Sequence, residues 1–363
     1  MPLITNDLLL DAAKGCRKLT AVLLLGVFAV SAYAHPILVP RPTLTLADRL
    51  LLSDFIVLAR EDADRPFHFA PVKVIKGEPQ ETPIDVFMPS NIRNRLAANP
   101  QLTMVMGSRS GDDEWRAYGL ADDEYLRVVQ NILDSADHWQ PRETDNMPRL
   151  RELAKLLGHP DIRLHELAYL EIGRASYASI REVGSNVPLE KVREMLNNPL
   201  YFQWRGLDIM LLGLSGSDKD QALVLKEMNE RQQGAVTMNL AAWATAYLEV
   251  TGIQGIDDIA DWYLRNPDRS REELQLITRA LAGHATEDPG FRKPVAEAYS
   301  VLLATHPRSA PDIAHDLIAW QEWGLFDQVQ ALQPALARAD PLGVYKVNLY
   351  LRQAKANIQA SQP

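Results

Sequence analysis

The chain is nearly devoid of cysteine: among its 363 residues only position 16 carries one. A disulfide framework and a thiolate metal site are therefore excluded as organising devices, and stability must come from a packed core. Dense basic runs are also missing. Lys and Arg number 38 against 47 Asp and Glu, for a net charge of −9. A phosphate-tracking surface needs the opposite balance, so no nucleic-acid partner is expected. No apolar run reaches the roughly 20 residues that span a bilayer. There is no Gly-rich phosphate loop and no complete catalytic motif.

What is present is ordinary for a globular protein of two or three domains: 47% apolar and 23% charged residues over 363 positions. The N-terminus carries a distinct signal. Lys14, Arg17 and Lys18 precede the apolar run Leu19 to Val30, and Ala32-Tyr33-Ala34 follows. A basic segment, an apolar segment and a small-residue site in that order describe a secretory signal peptide cut between Ala34 and His35. The expected location is the periplasm or the exterior. Contact with a membrane is expected only through an uncleaved leader. Cleavage takes the net charge from −9 to about −10 and removes the single cysteine.

Pro36, Pro40 and Pro42 make a stiff lead-in. Strand signals then crowd between residues 53 and 118. Asp54 to Ala59 is a short apolar run suited to a buried strand. Around Ala70-Pro71 the apolar phase of Phe67 to Val74 flips, which predicts a bulge where proline's missing donor does no harm. Lys76-Gly77-Glu78-Pro79 is turn chemistry. Ile84, Val86 and Met88 alternate with Asp85 and Phe87, and Leu102, Met104 and Met106 alternate with Thr103 and Val105. Ser110 to Asp113 reads as a hairpin loop into Trp115 to Tyr118. The pattern predicts a small barrel or sandwich.

From about residue 122 the period is helical. Leu150, Leu153, Ala154 and Leu157 form one apolar stripe; Leu240 to Leu248, Ile256 to Leu264 and Val295 to Leu303 repeat it. Gly158, Gly213, Gly252, Gly283 and Gly324 read as helix terminators, and Pro160, Pro188, Pro199, Pro311 and Pro341 as helix starts. Ser270-Arg271-Glu272-Glu273 has capping-box form. Helix pairs restart near residues 160, 199, 235, 269, 308 and 340. This irregular spacing fits an α-solenoid of two-helix units, with an irregular helical bundle as the alternative.

His159-Pro160-Asp161-Ile162-Arg163, with Leu167-Ala168 and Leu170-Glu171-Ile172-Gly173, resembles a HEAT-type repeat, and Arg205 with Leu212-Gly213 is a weaker echo. The likeness extends over about residues 145–356. Such repeats imply a scaffold that binds other proteins. Asp54 to Arg60, Phe69 to Gly77, Leu102 to Met106 and Trp115 resemble bacterial domains of the tissue-inhibitor-of-metalloproteinase-like, OB-barrel type. Inhibitors of that type open on a metal-chelating cysteine. This chain has His35 at that place, so inhibition does not carry over. The expected class is α+β: residues 1–34 a signal peptide, 35–52 a lead-in, 53–120 a small OB-like β-barrel and 121–363 an α-solenoid of HEAT-like pairs.

The chemistry-bearing patterns are incomplete. His165-Glu166-Leu167-Ala168-Tyr169 lacks the second imidazole of a zinc-protease helix, and both His165 and Glu166 are expected to be solvated. Gly213-Leu214-Ser215-Gly216-Ser217 lacks the closing glycine of a nucleophile elbow. Asp112-Asp113-Glu114 and Asp122-Asp123-Glu124 lack calcium-loop spacing, and the second group suits a helix N-terminus. His159, His284 and His306 read as helix-end residues. Cleavage before His35 would offer an α-amine and an imidazole to Cu²⁺, with His68 the nearest second imidazole; no other cofactor is called for. Tyr201, Trp204, Trp320 and Trp323 are candidate anchors for a protein partner, with core packing as the competing role. The reading is an exported protein-interaction scaffold and not an enzyme. A copper- or small-ligand-binding periplasmic protein is the alternative, and an enzyme with an unfamiliar site between the domains is a third.

Overall fold

The computed structural model describes residues 44–78, 83–111, 114–184 and 186–360. The leader, its cleavage site at Ala34 and His35, and Pro36, Pro40, Pro42, Pro79, Asp112 and Asp113 lie outside these residues. The fold is α+β. Described residues form 16 α-helices and one four-stranded antiparallel sheet, and they fall into two compact units that meet in sequence at Trp204 and Arg205.

The first unit opens on α1 (Leu46–Leu52), whose start is fixed by a capping box between Thr45 and Asp48. Strands β1 (Phe55–Glu61), β2 (Phe69–Lys76), β3 (Thr103–Ser108) and β4 (Arg116–Ala121) pair in the order β2-β1-β3-β4. β2 and β4 are edges, so the sheet is open and the expected barrel is not formed. In β1 against β2, Leu58 faces Lys73 while Ala59 faces Pro71. Val72 is thus the extra residue of the bulge that the phase flip predicts, and it is 56% exposed.

The Ile84–Met88 alternation does not make a strand. Its one ladder contact is an isolated bridge between Phe87 and His68, while Ile84 and Met88 turn inward. A helix absent from the sequence reading follows, α2 (Ser90–Ala98). Arg60 holds its C-terminal end, donating from Nη2 to the Leu96 carbonyl at 2.6 Å and from Nη1 to the Leu102 carbonyl at 2.5 Å.

Both faces of the sheet are buried, which explains the unbroken apolar run in β1. One face packs Val57, Ala59, Met104 and Met106 with Phe69, Ile84, Met88 and Leu96. The other packs Ile56, Leu58 and Val105 against Leu50 of α1, Tyr125 and Val129 of α3 (Asp123–Asp134), Leu153 of α4 (Met147–Ala154) and Leu164 and Leu167 of α5 (Ile162–Arg174). The sequence reading divides the chain after residue 120. The compact unit instead runs to Trp204, because α3, α4 and α5 complete the core beneath the sheet. Helices α6 (Tyr177–Gly184) and α7 (Leu189–Leu196) and the 3₁₀ segment Pro199–Trp204 finish this unit.

The second unit is wholly helical: α8 (Arg205–Gly213), α9 (Asp218–Gln232), α10 (Leu240–Thr251), α11 (Gln254–Ile259, continuing as a π-turn through Leu264), α12 (Arg271–Glu287), α13 (Arg292–Thr305), α14 (Ala310–Trp320), α15 (Phe326–Ala339) and α16 (Pro341–Ala360). Every residue of the Ile256–Leu264 and Val295–Leu303 stripes is buried. The helices pack in two rows. In one, α8 meets α10, α10 meets α12, α12 meets α14 and α14 meets α16. In the other, α9 lies on α8 and α10, the π-turn of α11 lies on α13, and α13 lies on α15. Gly213 allows the first of these crossings, since a Cβ there would sit 2.7 Å from Ala246 Cα. Ser270 caps α12 with Glu273 as the pattern predicts. Gly283 does not end a helix: it lies inside α12, buried among neighbours.

Candidate functional site

α12, α14 and α16 are successive members of one row, and the faces they turn away from the core line a cavity of about 520 Å³. α12 contributes Gln275, Thr278, Arg279 and Ala282, which share one face at i, i+3, i+4, i+7 spacing. Leu274, Ile277 and Leu281 hold the core side of the same helix. α14 contributes Pro311, Asp312, His315, Asp316 and Ile318, and α16 contributes Tyr345, Lys346 and Leu349. α16 approaches α14 closely at its start: a Cβ on Gly343 would lie 2.8 Å from Pro311 Cγ.

The charges on this wall are unequally satisfied. Asp312 is committed to its own chain, accepting from Arg271 Nη2 at 3.2 Å and from Gln275 Nε2 at 3.0 Å. Asp316 accepts from Tyr299 Oη at 3.3 Å. Burial pushes the Asp316 carboxyl up to about 7, against the opposing pull of the Tyr299 hydrogen bond and of Lys346. Burial and then Lys346 hold the His315 imidazole below its usual range. Burial alone lowers Arg279, because no carboxylate offsets it. Among the described residues Arg279 has neither an ion pair nor a hydrogen bond. Its nitrogens are not among the buried unpartnered atoms, so they stay open to the cavity and available to an acceptor that enters it. Beside these charges, Ala282, Pro311, Ile318, Tyr345 and Leu349 give the wall an apolar part, and Tyr345 is 66% exposed.

The first unit holds a different polar cluster, buried and with its charges paired, although Arg149 Nε and Arg174 Nε have no hydrogen-bond partner. Asp48 of α1, Arg149 of α4, and Glu171 and Arg174 of α5 form four ion pairs with side chains no more than 5% exposed. Thr45 donates to Glu171 Oε1 at 2.5 Å, and Arg149 and Arg174 also donate to the Gln140 and Glu143 carbonyls. Burial alone would raise the Asp48 carboxyl; Arg174 and the Arg142 and Thr45 amides hold it down at about 2. Each charge has its counter-charge inside the protein, so this cluster joins three helices. A smaller groove of about 180 Å³ lies beside Tyr118, Tyr125 and Arg163. Arg163 is occupied there, stacked 4.2 Å over Tyr125 and hydrogen-bonded to Asp161 and the Leu120 carbonyl.

The residues singled out in the sequence are scattered. His35 lies outside the described residues. His68 is half-buried, with Nδ1 3.1 Å from the Pro66 carbonyl. Among the described residues no three or more His, Cys, Asp or Glu gather as ligands for a metal. Trp204 and Trp320 are core residues and not surface anchors: Trp204 is 1% exposed and stacks on Tyr169, and Trp320 is 7% exposed and donates to Thr286. Tyr201 and Trp323 are half-buried, against His165 and Tyr350 respectively.

His165 is buried, not solvated, although its neighbour Glu166 is exposed. Its Nδ1 accepts the Gly158 amide at 2.7 Å, and burial, with His159 adding to it, brings its imidazole down to about 4. His284 is 2% exposed, with Nε2 3.2 Å from the Thr245 carbonyl of α10. Asp122 caps α3, with Asp123 and Glu124 in its first turn. No described helix is long and apolar enough to cross a membrane.

The cavity between α12, α14 and α16 had no signature in the sequence. Arg279, Asp316 and Lys346 come from three helices, and only the packing of the row brings them together. The one available signal was Arg279, on the face of α12 opposite its apolar stripe. No protein-family model, curated protein or solved structure matches the chain.

Proposed function

We propose that this protein is an exported scaffold that binds another protein through the row of helices α8, α10, α12, α14 and α16. The reading takes the two rows as an α-solenoid of HEAT-like pairs, in which each hairpin shields the apolar stripe of the next. The observation that carries it is the cavity spanning three consecutive helices of one row, with Arg279 on its wall unpaired among the described residues and Tyr345 exposed beside it. A surface built only to be solvated has no need of an apolar recess across successive repeats. A partly exposed aromatic beside a cationic side chain is the composition of an interface anchor. Export rests on the order of basic segment, apolar segment and Ala32-Tyr33-Ala34 in the leader.

The test uses full-length tagged chain, produced with its leader and recovered from the exported fraction. The native chain is expected to retain a protein that the double variant Tyr345→Glu, Leu349→Arg loses while staying folded by circular dichroism. Equal recovery from both chains, or recovery of the chain alone, would count against the reading.

A further inference from the structure

We propose that the cavity between α12, α14 and α16 receives a carboxylate side chain of an acidic peptide segment, held by Arg279 and Lys346, with an apolar neighbour of that side chain against Tyr345 and Leu349. This deepens the scaffold reading and rests on it. The other polar clusters point inward. Every charge of the Asp48–Arg149–Glu171–Arg174 group is paired within the core, and Arg163 in the groove beside Tyr118 already has a carboxylate and a carbonyl.

Arg279 differs from all of these. It borders a recess, lies half-buried, and meets no acceptor among the described residues. A guanidinium presents a fork of donors that matches the two oxygens of a carboxylate. Lys346 adds a second cation on the facing helix. The wall's own acids do not cancel this pair. Asp312 is paired with Arg271, and burial raises the Asp316 carboxyl to about 7, so its negative charge is only partial near neutral pH. The recess is thus a local cationic spot in a chain of net charge −9. Electrostatic complementarity then favours an acidic partner segment over a basic one at this place.

A peptide is favoured over a free small acid by dimension and by rim. About 520 Å³ spread over three helices exceeds what a lone carboxylate fills, and the exposed Tyr345 and Leu342 continue the apolar wall outward.

The experiment is calorimetric titration of the full chain with three probes: the capped peptide acetyl-Gly-Phe-Glu-Leu-Gly-amide, its Gln counterpart, and 4-phenylbutyrate. The Glu peptide is expected to bind at least about tenfold more tightly than the Gln peptide. Arg279→Gln should erase that difference while leaving the Gln peptide unchanged. Lys346→Gln, at an exposed position, should weaken the Glu peptide alone by about threefold or more. Equal binding of the two peptides, undiminished selectivity in Arg279→Gln, or no binding of the Glu peptide would overturn the carboxylate assignment. Phenylbutyrate binding as tightly as the Glu peptide would overturn the peptide as its source. The scaffold reading fails separately: it is lost if the native chain retains no partner, and it stands if a partner is retained through Tyr345 and Leu349 without carboxylate selectivity.

Discussion

Asp48 and Arg174, 126 residues apart in sequence, meet at 2.5 Å in the core of the first unit, and neither side chain is more than 5% exposed. With Arg149 and Glu171 they make α1, α4 and α5 one polar joint beneath the sheet. Such a joint gives little net stability over an apolar equivalent, yet breaking it is severe because buried charge is left unpaired. Arg149→Met strands part of both Asp48 and Glu171. We expect a loss of about 3–5 kcal/mol in urea unfolding. A loss below about 1 kcal/mol would mean that the cluster is not buried as described.

His165 gives the first unit an acid sensitivity. Its imidazole is brought down to about 4 from 6.5, so the unfolded chain takes up a proton in this interval and the folded one does not. The stability it contributes is complete above about pH 6.5 and is lost as pH falls through about 4. His165→Gln should lessen that decline by about 2 kcal/mol. Unfolding midpoints measured from pH 7 to pH 4 check this; identical slopes for both chains would contradict it.

Asp316 predicts the opposite slope. Its carboxyl is held up to about 7 in the folded state against 3.8 in the free residue, so stability declines as pH rises from about 4 through 7. Asp316→Asn keeps an acceptor for Tyr299 and removes the titration. The variant should gain about 1–2 kcal/mol relative to the native chain between pH 5 and pH 8, read from denaturant midpoints at both ends.

Gly213 tests the crossing of α8 with α10. A methyl there would meet the Ala246 backbone at 2.7 Å, and backbone cannot move aside as a flexible side chain can. Gly213→Ala should cost about 1–3 kcal/mol despite alanine's better helix propensity. An unchanged or raised melting temperature would show that the two helices do not touch there.

Much of the fold was legible because it repeats on a short period. The stripes from Leu240 to Leu248 and from Val295 to Leu303, the Ser270 capping box and the bulge opposite Leu58 and Ala59 are all local patterns. α2 escaped because it is short and carries no apolar stripe: of its nine residues only Leu96 is buried. Ile84 to Met88 mimicked a strand because alternate residues face the core even where no ladder forms. Gly283 does not terminate α12, which runs four residues past it to Glu287, while His284 does stand in the last turn, with its ring nitrogen at the Thr245 carbonyl of α10. An open sheet and a barrel share the same alternation; Pro71 within β2 is compatible with an edge as well as with the bulge, and only the bulge was read from it. The polar joint and the Arg279 cavity were invisible for a different reason. Their members are tens of residues apart, and only tertiary packing assembles them.

The most direct measurement is site-specific photo-crosslinking in the full chain, expressed with its N-terminal segment. A photoreactive residue replaces Tyr345 of α16 in one version and the exposed Glu297 of α13, in the other row, in a second version. The account predicts a discrete crosslinked product from position 345, absent from position 297 and abolished by Arg279→Gln. Products of equal yield from both positions, or none from position 345, would contradict it.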